Sequence, residues 1–234
     1  MFGAIPPPSS APLTGRSAAA YQLPGGIFKG TTTVGLVCED GVVLGTERRA
    51  TYYGGFIASK SAQKLFKIDE RIGATIAGGV GDAQSLIRTL RAEAALYRLR
   101  RTAPMTVEGA TTLLSNILNG NRYFPYYVGM LVGGVDPSGN RLFSVDADGG
   151  AISDTYGSVG SGSTIAYGVL EEAYEESLSL NEGADVALRA LTAAMKRDAN
   201  SGNGYLLATI SEKEFRAHSD DDIKKRLTKL KLSA

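Results

Sequence analysis

Gly30-Thr31-Thr32-Thr33-Val34-Gly35 divides the chain into two textures. Before Thr31, residues 1–30 hold five of the eight prolines, at positions 6, 7, 8, 12 and 24, among scattered Gly, Ser and Ala. Such a composition does not bury a core easily and reads as a flexible leader. After it, apolar periodicity begins at once. Thr and Val favour strands, so one reading of the hexapeptide is the opening of a β-strand. A second reading attaches to the Gly-Thr junction. Cleavage there makes Thr31 an N-terminus, with a hydroxyl nucleophile and an α-amine base in one residue. On the hexapeptide alone both readings stand.

Outward from this stretch, Val42-Val43-Leu44 and Phe56-Ile57-Ala58 read as strand pieces. Lys64 to Ile68 alternates polar and apolar, as a half-buried strand does, and Ile72 to Ala77 continues as a strand into Gly78-Gly79. Asp82, a good N-cap residue, opens a helix to Arg101 with Leu86, Leu90, Ala94 and Tyr97 inward. Thr106 caps a second helix with Val107, Ala110, Leu113, Leu114, Ile117 and Leu118 inward. Val128–Val135 and Arg141–Val145 are strands about an Asp136–Asn140 turn, and another strand precedes Gly160. Helices follow at about 164–177 and, capped by Asn181, 182–197. Tyr205–Ile210 is a late strand, and Ile223, Leu227 and Leu230 mark a last helix. Runs of strands followed by pairs of helices imply an α+β fold of two antiparallel sheets packed face to face, with helix pairs outside.

Composition narrows the function. The 234 residues fit one domain with a full core. The leader carries Arg16 and Lys29 and no acid, so the rest stands at −1 against the chain's +1. That leaves no basic footprint for nucleic acid, and no apolar run suits a membrane. Cys38 is the only cysteine, which rules out an internal disulfide and cysteine-based zinc sites and fits a reducing, cytoplasmic setting. His218 is the only histidine and sits beside Ser219-Asp220-Asp221-Asp222, a helix N-terminus. A hydrolase built on this chain needs a base other than histidine.

Several motifs have a functional and a plain reading. Thr46-Glu47-Arg48-Arg49-Ala50-Thr51 interrupts a strand with charges that must be paired, face a cavity, or mark a solvated strand end. Lys64 is either a site residue or a snorkelling lysine. Arg197-Asp198 before Asn200-Ser201-Gly202 is also ordinary helix-end chemistry. Gly157 to Thr164 has P-loop glycine spacing, but Ser163 stands where the lysine belongs. Close backbone packing, or donors aimed at a substrate carbonyl, suits this loop and Gly78-Gly79-Val80-Gly81-Asp82 better than a nucleotide does. Asp146-Ala147-Asp148 reads as a turn before a metal pair, since no third ligand is evident.

Taken together, residues 31–234 resemble the β-subunits of the archaeal 20S proteasome. The marks are Thr31-Thr32-Thr33-Val34-Gly35, Thr46-Glu47-Arg48-Arg49, Lys64-Leu65-Phe66, Ile76-Ala77-Gly78, Gly81-Asp82-Ala83, Gly160-Ser161-Gly162-Ser163 and Arg197-Asp198 with Ser201-Gly202, in order. The resemblance implies the N-terminal-nucleophile (Ntn) hydrolase fold, a four-layer α-β-β-α sandwich, and a threonine endopeptidase without cofactor or metal. It implies a propeptide, residues 1–30, removed by autocleavage at Gly30–Thr31, and a catalytic domain, 31–234. Thr31 Oγ is then the nucleophile and its α-amine, with a pKa near ~8, the base. Lys64 is the catalytic lysine, paired with Glu47. Asp198 and Ser201 orient the amine, Ser161 completes that network, and the Gly78 N–H is the oxyanion donor. Thr51 binds substrate backbone, while Ala50, Ile76 and Val80 fall at specificity-pocket positions suited to apolar residues.

The same resemblance implies β-rings, expected heptameric, stacked with α-subunit rings and served by a regulatory ATPase or unfoldase that delivers polypeptides. Tyr52-Tyr53-Gly54-Gly55 is about one residue longer than the family pattern, which shifts the alignment of the 57–63 pocket wall. Three rivals remain at this stage: the bacterial two-ring threonine protease, a non-cutting structural β-subunit, and a nucleotide-binding module.

Overall fold

The computed structural model describes residues 30–52 and 55–232. The leader at 1–29 and the Tyr53-Gly54 part of the long segment lie outside the described residues. In chain order the elements are β1 (Thr32–Cys38), β2 (Gly41–Glu47), β3 (Ala50–Tyr52), β4 (Phe56–Ser59), β5 (Leu65–Asp69) and β6 (Ile72–Gly78). Helices α1 (Val80–Arg101) and α2 (Val107–Gly120) follow, then β7 (Val128–Asp136), β8 (Gly139–Val145), β9 (Ala151–Ser153) and β10 (Tyr156–Gly160). The chain continues through α3 (Ser163–Ala173), α4 (Leu180–Arg197), β11 (Tyr205–Ile210), β12 (Phe215–Ala217) and α5 (Asp220–Lys229).

Among the described residues, two five-stranded antiparallel sheets form, ordered β10-β1-β2-β11-β12 and β5-β6-β7-β8-β9, with β3-β4 a separate pair. The period-two alternation of each strand divides its side chains between two cores. From β1 and β2, Val34, Leu36, Cys38 and Val43 pack under α3, α4 and α5. On the opposite face Val42 and Leu44 meet Leu131 and Leu142 of the second sheet. That sheet turns Ile72, Ala74, Ile76, Met130 and Val132 toward α1 and α2. The result is the four-layer α-β-β-α sandwich that the element order implies. The sheets approach closely because glycines face the seam: a Cβ on Gly35 would lie 2.7 Å from Leu142 Cδ1, and one on Gly133 2.9 Å from Val42 Cγ1.

Several boundaries differ from the sequence-based expectation. Helix α1 starts at Val80 with Gly79 as its cap residue and no side-chain cap. The Asp82 carboxylate instead accepts the Tyr127 N–H at 3.0 Å, a tertiary contact that displaces the local cap. Tyr97 is 38% exposed rather than inward. Helix α3 ends at Ala173, where Tyr174 turns extended, donates its hydroxyl to the Val37 carbonyl and packs on Tyr156. Ser179, not Asn181, caps α4 in a reciprocal capping box with Glu182. The three-residue strands β9 and β12 are additional. Thr106 and Ser219 cap α2 and α5 as their sequences suggest, and Asp146 closes a turn by accepting the N–H groups of Asp148 and Gly150.

Candidate active site

The site forms where element ends meet. Thr31 immediately precedes β1, which lies inside the first sheet between β10 and β2. Glu47 ends β2, Lys64 immediately precedes β5, Ser161 follows β10 and Asp198 is the C-cap of α4. These residues are far apart in sequence, and only the packing of the two sheets with α4 brings them together.

Lys64 is buried, and its ammonium donates to Thr31 Oγ1 at 3.0 Å, to Glu47 Oε1 and to the Arg49 carbonyl. An ammonium has three N–H donors and no acceptor, so all of its hydrogen-bonding capacity is used. Glu47 is fully buried; its other oxygen accepts the Arg49 N–H at 2.5 Å and the Gly202 N–H at 2.9 Å. Burial is the dominant influence on both partners: it pushes the Glu47 carboxyl up and the Lys64 ammonium down. Their mutual attraction opposes both shifts, and Asp198 adds to the field that favours a charged lysine.

A second network holds the main chain of Thr31. Its N–H donates to Ser161 Oγ at 3.2 Å, and Ser161 Oγ donates to Asp198 Oδ2 at 2.5 Å. Ser201 Oγ donates to the same carboxylate oxygen at 2.6 Å and bonds Thr32 Oγ1 at 2.7 Å. Asp198 and Ser201 therefore reach Thr31 N through Ser161 in the uncut chain, where that nitrogen is an amide with a single proton. The Thr31 hydroxyl donates to the Gly30 carbonyl oxygen at 2.7 Å, which sets the nucleophile against the junction itself.

The remaining predicted residues surround this centre. Thr51 is buried and accepts the Gly30 N–H at 3.2 Å. Ala50 and Val80 are half-buried at the starts of β3 and α1, whereas Ile76 is enclosed in the core beneath α1 and α2. Gly78 ends β6 with φ +105°, and a Cβ there would lie 2.2 Å from the Tyr127 carbonyl oxygen. Nothing among the described contacts joins Gly78 N–H to Thr31. The Gly160 loop packs against the nucleophile: with φ +111°, a Cβ on Gly160 would lie 2.0 Å from the Thr31 carbonyl oxygen.

Two contributors escape the sequence reading. Arg49 donates to the Ala199 carbonyl at 2.7 Å and to Asn203 Oδ1 at 2.8 Å, clamping the loop that carries Ser201. The signal was the run of charges after β2, which has a solvated reading as well. Asn200 accepts the Thr51 hydroxyl at 3.3 Å and lies over Gly30, with no distinguishing pattern in sequence.

A threonine poised before an inner strand of an α-β-β-α sandwich places the chain in the Ntn-hydrolase class. Comparison with known proteins resolves the class further. The family described as proteasome subunit matches residues 27–210. The chain is 53% identical over 204 residues to a proteasome subunit beta of Methanothermobacter thermautotrophicus, covering 87% of this chain and 97% of that one. It is 53% identical over 205 residues to that of Methanohalophilus mahii, covering 87% and 97%. With that of Methanoregula boonei it shares 54% over 201 residues, covering 86% and 94%. The chain belongs to the proteasome subunit family as a β-subunit, a threonine endopeptidase of the 20S core. Among the described residues no helix is long and apolar enough to cross a membrane.

Proposed function

We propose that Thr31 first cuts the chain's own leader, residues 1–30, and then hydrolyses polypeptides as the catalytic N-terminus of a ring-forming β-subunit. One observation carries this reading: Lys64 Nζ, Thr31 Oγ1 and the Gly30 carbonyl oxygen are joined by consecutive hydrogen bonds of 3.0 and 2.7 Å. In self-processing, Oγ1 attacks the Gly30 carbonyl carbon. Collapse breaks the Gly30–Thr31 C–N bond, the nitrogen takes up the hydroxyl proton through water, and an ester joins Gly30 to Oγ1. Water then hydrolyses the ester, releasing the leader with its new carboxyl group at Gly30 and restoring the Thr31 hydroxyl beside the α-amine already freed.

The amine so released is the base for later turnovers. It takes the Oγ1 proton as Oγ1 attacks a substrate carbonyl and returns that proton to the departing amine. Water activated by the same α-amine then hydrolyses the Oγ1 ester, releasing the carboxyl product and restoring the hydroxyl. Lys64, fixed by Glu47, stabilises the negative charge that grows on Oγ1. Asp198, Ser161 and Ser201 hold the N-terminus, Gly78 N–H serves the oxyanion, and Thr51 binds substrate backbone as an added strand. Ala50 and Val80, backed by the enclosed Ile76, favour cleavage after apolar residues. The β-subunits form heptameric rings stacked on α-subunit rings in the cytoplasm, and an ATPase or unfoldase supplies unfolded chains that leave as short peptides.

Intact mass of the chain, expressed alone and with an α-type ring subunit, tests this. The wild-type chain is expected to begin at Thr31 in the assembled particle, and Thr31→Ala to stay full length and inactive. A Thr31→Ala chain beginning at residue 31, made with no other protease present, overturns self-processing. Sixfold rather than sevenfold rings in the particle would instead mark the bacterial two-ring arrangement.

A further inference from the structure

We infer that Asn200 is the residue that restricts the position before the cleaved bond to glycine, and so is a specificity-determining residue of self-processing. The inference rests on the proposal that Thr31 cuts after Gly30.

Gly30 is buried, and a Cβ built on it would lie 1.7 Å from Asn200 Cβ and 2.5 Å from Asn200 Cγ. Ser161 Oγ lies 2.8 Å from the same point, a smaller overlap at a rotatable hydroxyl. The space beside Gly30 has no room for a Cβ, and Asn200 fills it.

Asn200 cannot retreat easily, because the overlapping atom is its Cβ, which moves only with the backbone. Its N–H donates to Asp198 Oδ1 at 3.1 Å, and its side-chain oxygen accepts the Thr51 hydroxyl at 3.3 Å. On either side, Arg49 holds the Ala199 carbonyl and Glu47 holds the Gly202 N–H. The same Thr51 hydroxyl oxygen accepts the Gly30 N–H at 3.2 Å. Thr51 and Asn200 thus enclose Gly30 from two sides and keep its carbonyl on Thr31 Oγ1. A side chain at position 30 must displace either this anchored loop or the carbonyl, and the second moves the electrophile off the nucleophile.

The test is a processing time course by intact mass in the assembled particle, for wild type, Gly30→Ala, and Gly30→Ala combined with Asn200→Gly or Asn200→Ala. Gly30→Ala is expected to cut on the order of tenfold more slowly, or not at all, as overpacking against a fixed atom requires. Asn200→Gly removes the overlapping atom and is expected to restore cutting of the Gly30→Ala chain by about tenfold. Asn200→Ala keeps Cβ and is expected to restore little. That contrast is the signature of a steric role, since loss of the side-chain hydrogen bond is common to both variants. Equal cutting of Gly30→Ala and wild type overturns the inference and leaves self-processing intact. So does a Gly30→Ala chain that neither Asn200 variant rescues, or that both rescue equally. A wild-type chain that keeps its leader overturns self-processing itself.

Discussion

Lys64 shows how one buried residue limits the chemistry available to its neighbours. Its three ammonium protons are committed to Thr31 Oγ1, Glu47 and the Arg49 carbonyl, so it has no means of taking the threonine's proton. Its contribution is electrostatic. Lys64→Met is expected to lower peptidase activity by about two orders of magnitude or more. It also leaves the Glu47 carboxylate buried without its partner, at a cost of about 3–5 kcal/mol. Glu47→Gln with Lys64→Met should recover much of the stability and none of the activity. Denaturant titrations beside a peptidase assay check both halves, and near-normal turnover by Lys64→Met would remove the lysine from the mechanism. At this scale the sequence was informative only as a set. Lys64 alone resembles a surface lysine at a strand start, and Asn200 resembles a turn residue. What distinguishes them is burial against Thr31 and Gly30, which local composition does not encode.

At the scale of elements, strand and helix interiors were legible and their ends were not. Interiors follow periodicity, but ends are decided by competition among hydrogen-bond partners. Asp82 has the chemistry of a cap, yet the Tyr127 N–H claims its carboxylate. The Ser179-Leu180-Asn181-Glu182 spacing did contain a capping box, and Asn181 obscured it. The joint between β12 and α5 carries the chain's one histidine, whose Nε2 lies 3.1 Å from Thr209 Oγ1. Burial, reinforced by Arg226 and Arg216, lowers its pKa from 6.5. A depressed folded-state pKa gives stability that is present above the unfolded value and lost as pH falls through the folded one. Stability is therefore expected to drop as pH falls below about 6.5, and His218→Gln should flatten that slope. Denaturation midpoints between pH 7.5 and 5 read this out; identical slopes would exclude His218 as a cause.

At the scale of the whole molecule, the layers were legible from the order of elements, and the lateral order of strands was not. The first sheet joins strands from the start, middle and end of the chain, and no local pattern reveals that β10 borders β1 or that β11 borders β2. The seam between the sheets is where this long-range arrangement is held. Leu142 is 1% exposed and reaches Gly35 across the seam. Leu142→Ala is expected to cost about 2–5 kcal/mol by opening a cavity between the sheets. A shift in denaturation midpoint at unchanged slope checks it, and a cost below about 1 kcal/mol would mean the seam closes up around the loss.

The position of β1 has a consequence for how this catalyst fails. Thr31 is tethered to a strand bonded on both sides, Thr32 opposite Gly160 and Thr33 opposite Thr46. A nucleophile on a loop drifts out of register through local opening at little free-energy cost. Here the threonine cannot drift far unless β1 separates from both neighbours, which is the rupture of the sheet. Amide protons of Thr33 and Val34 should therefore exchange only through global opening. Warming then brings no stage of loosened, indiscriminate cutting: the chain keeps a fully formed catalyst until cutting and fold disappear in one event.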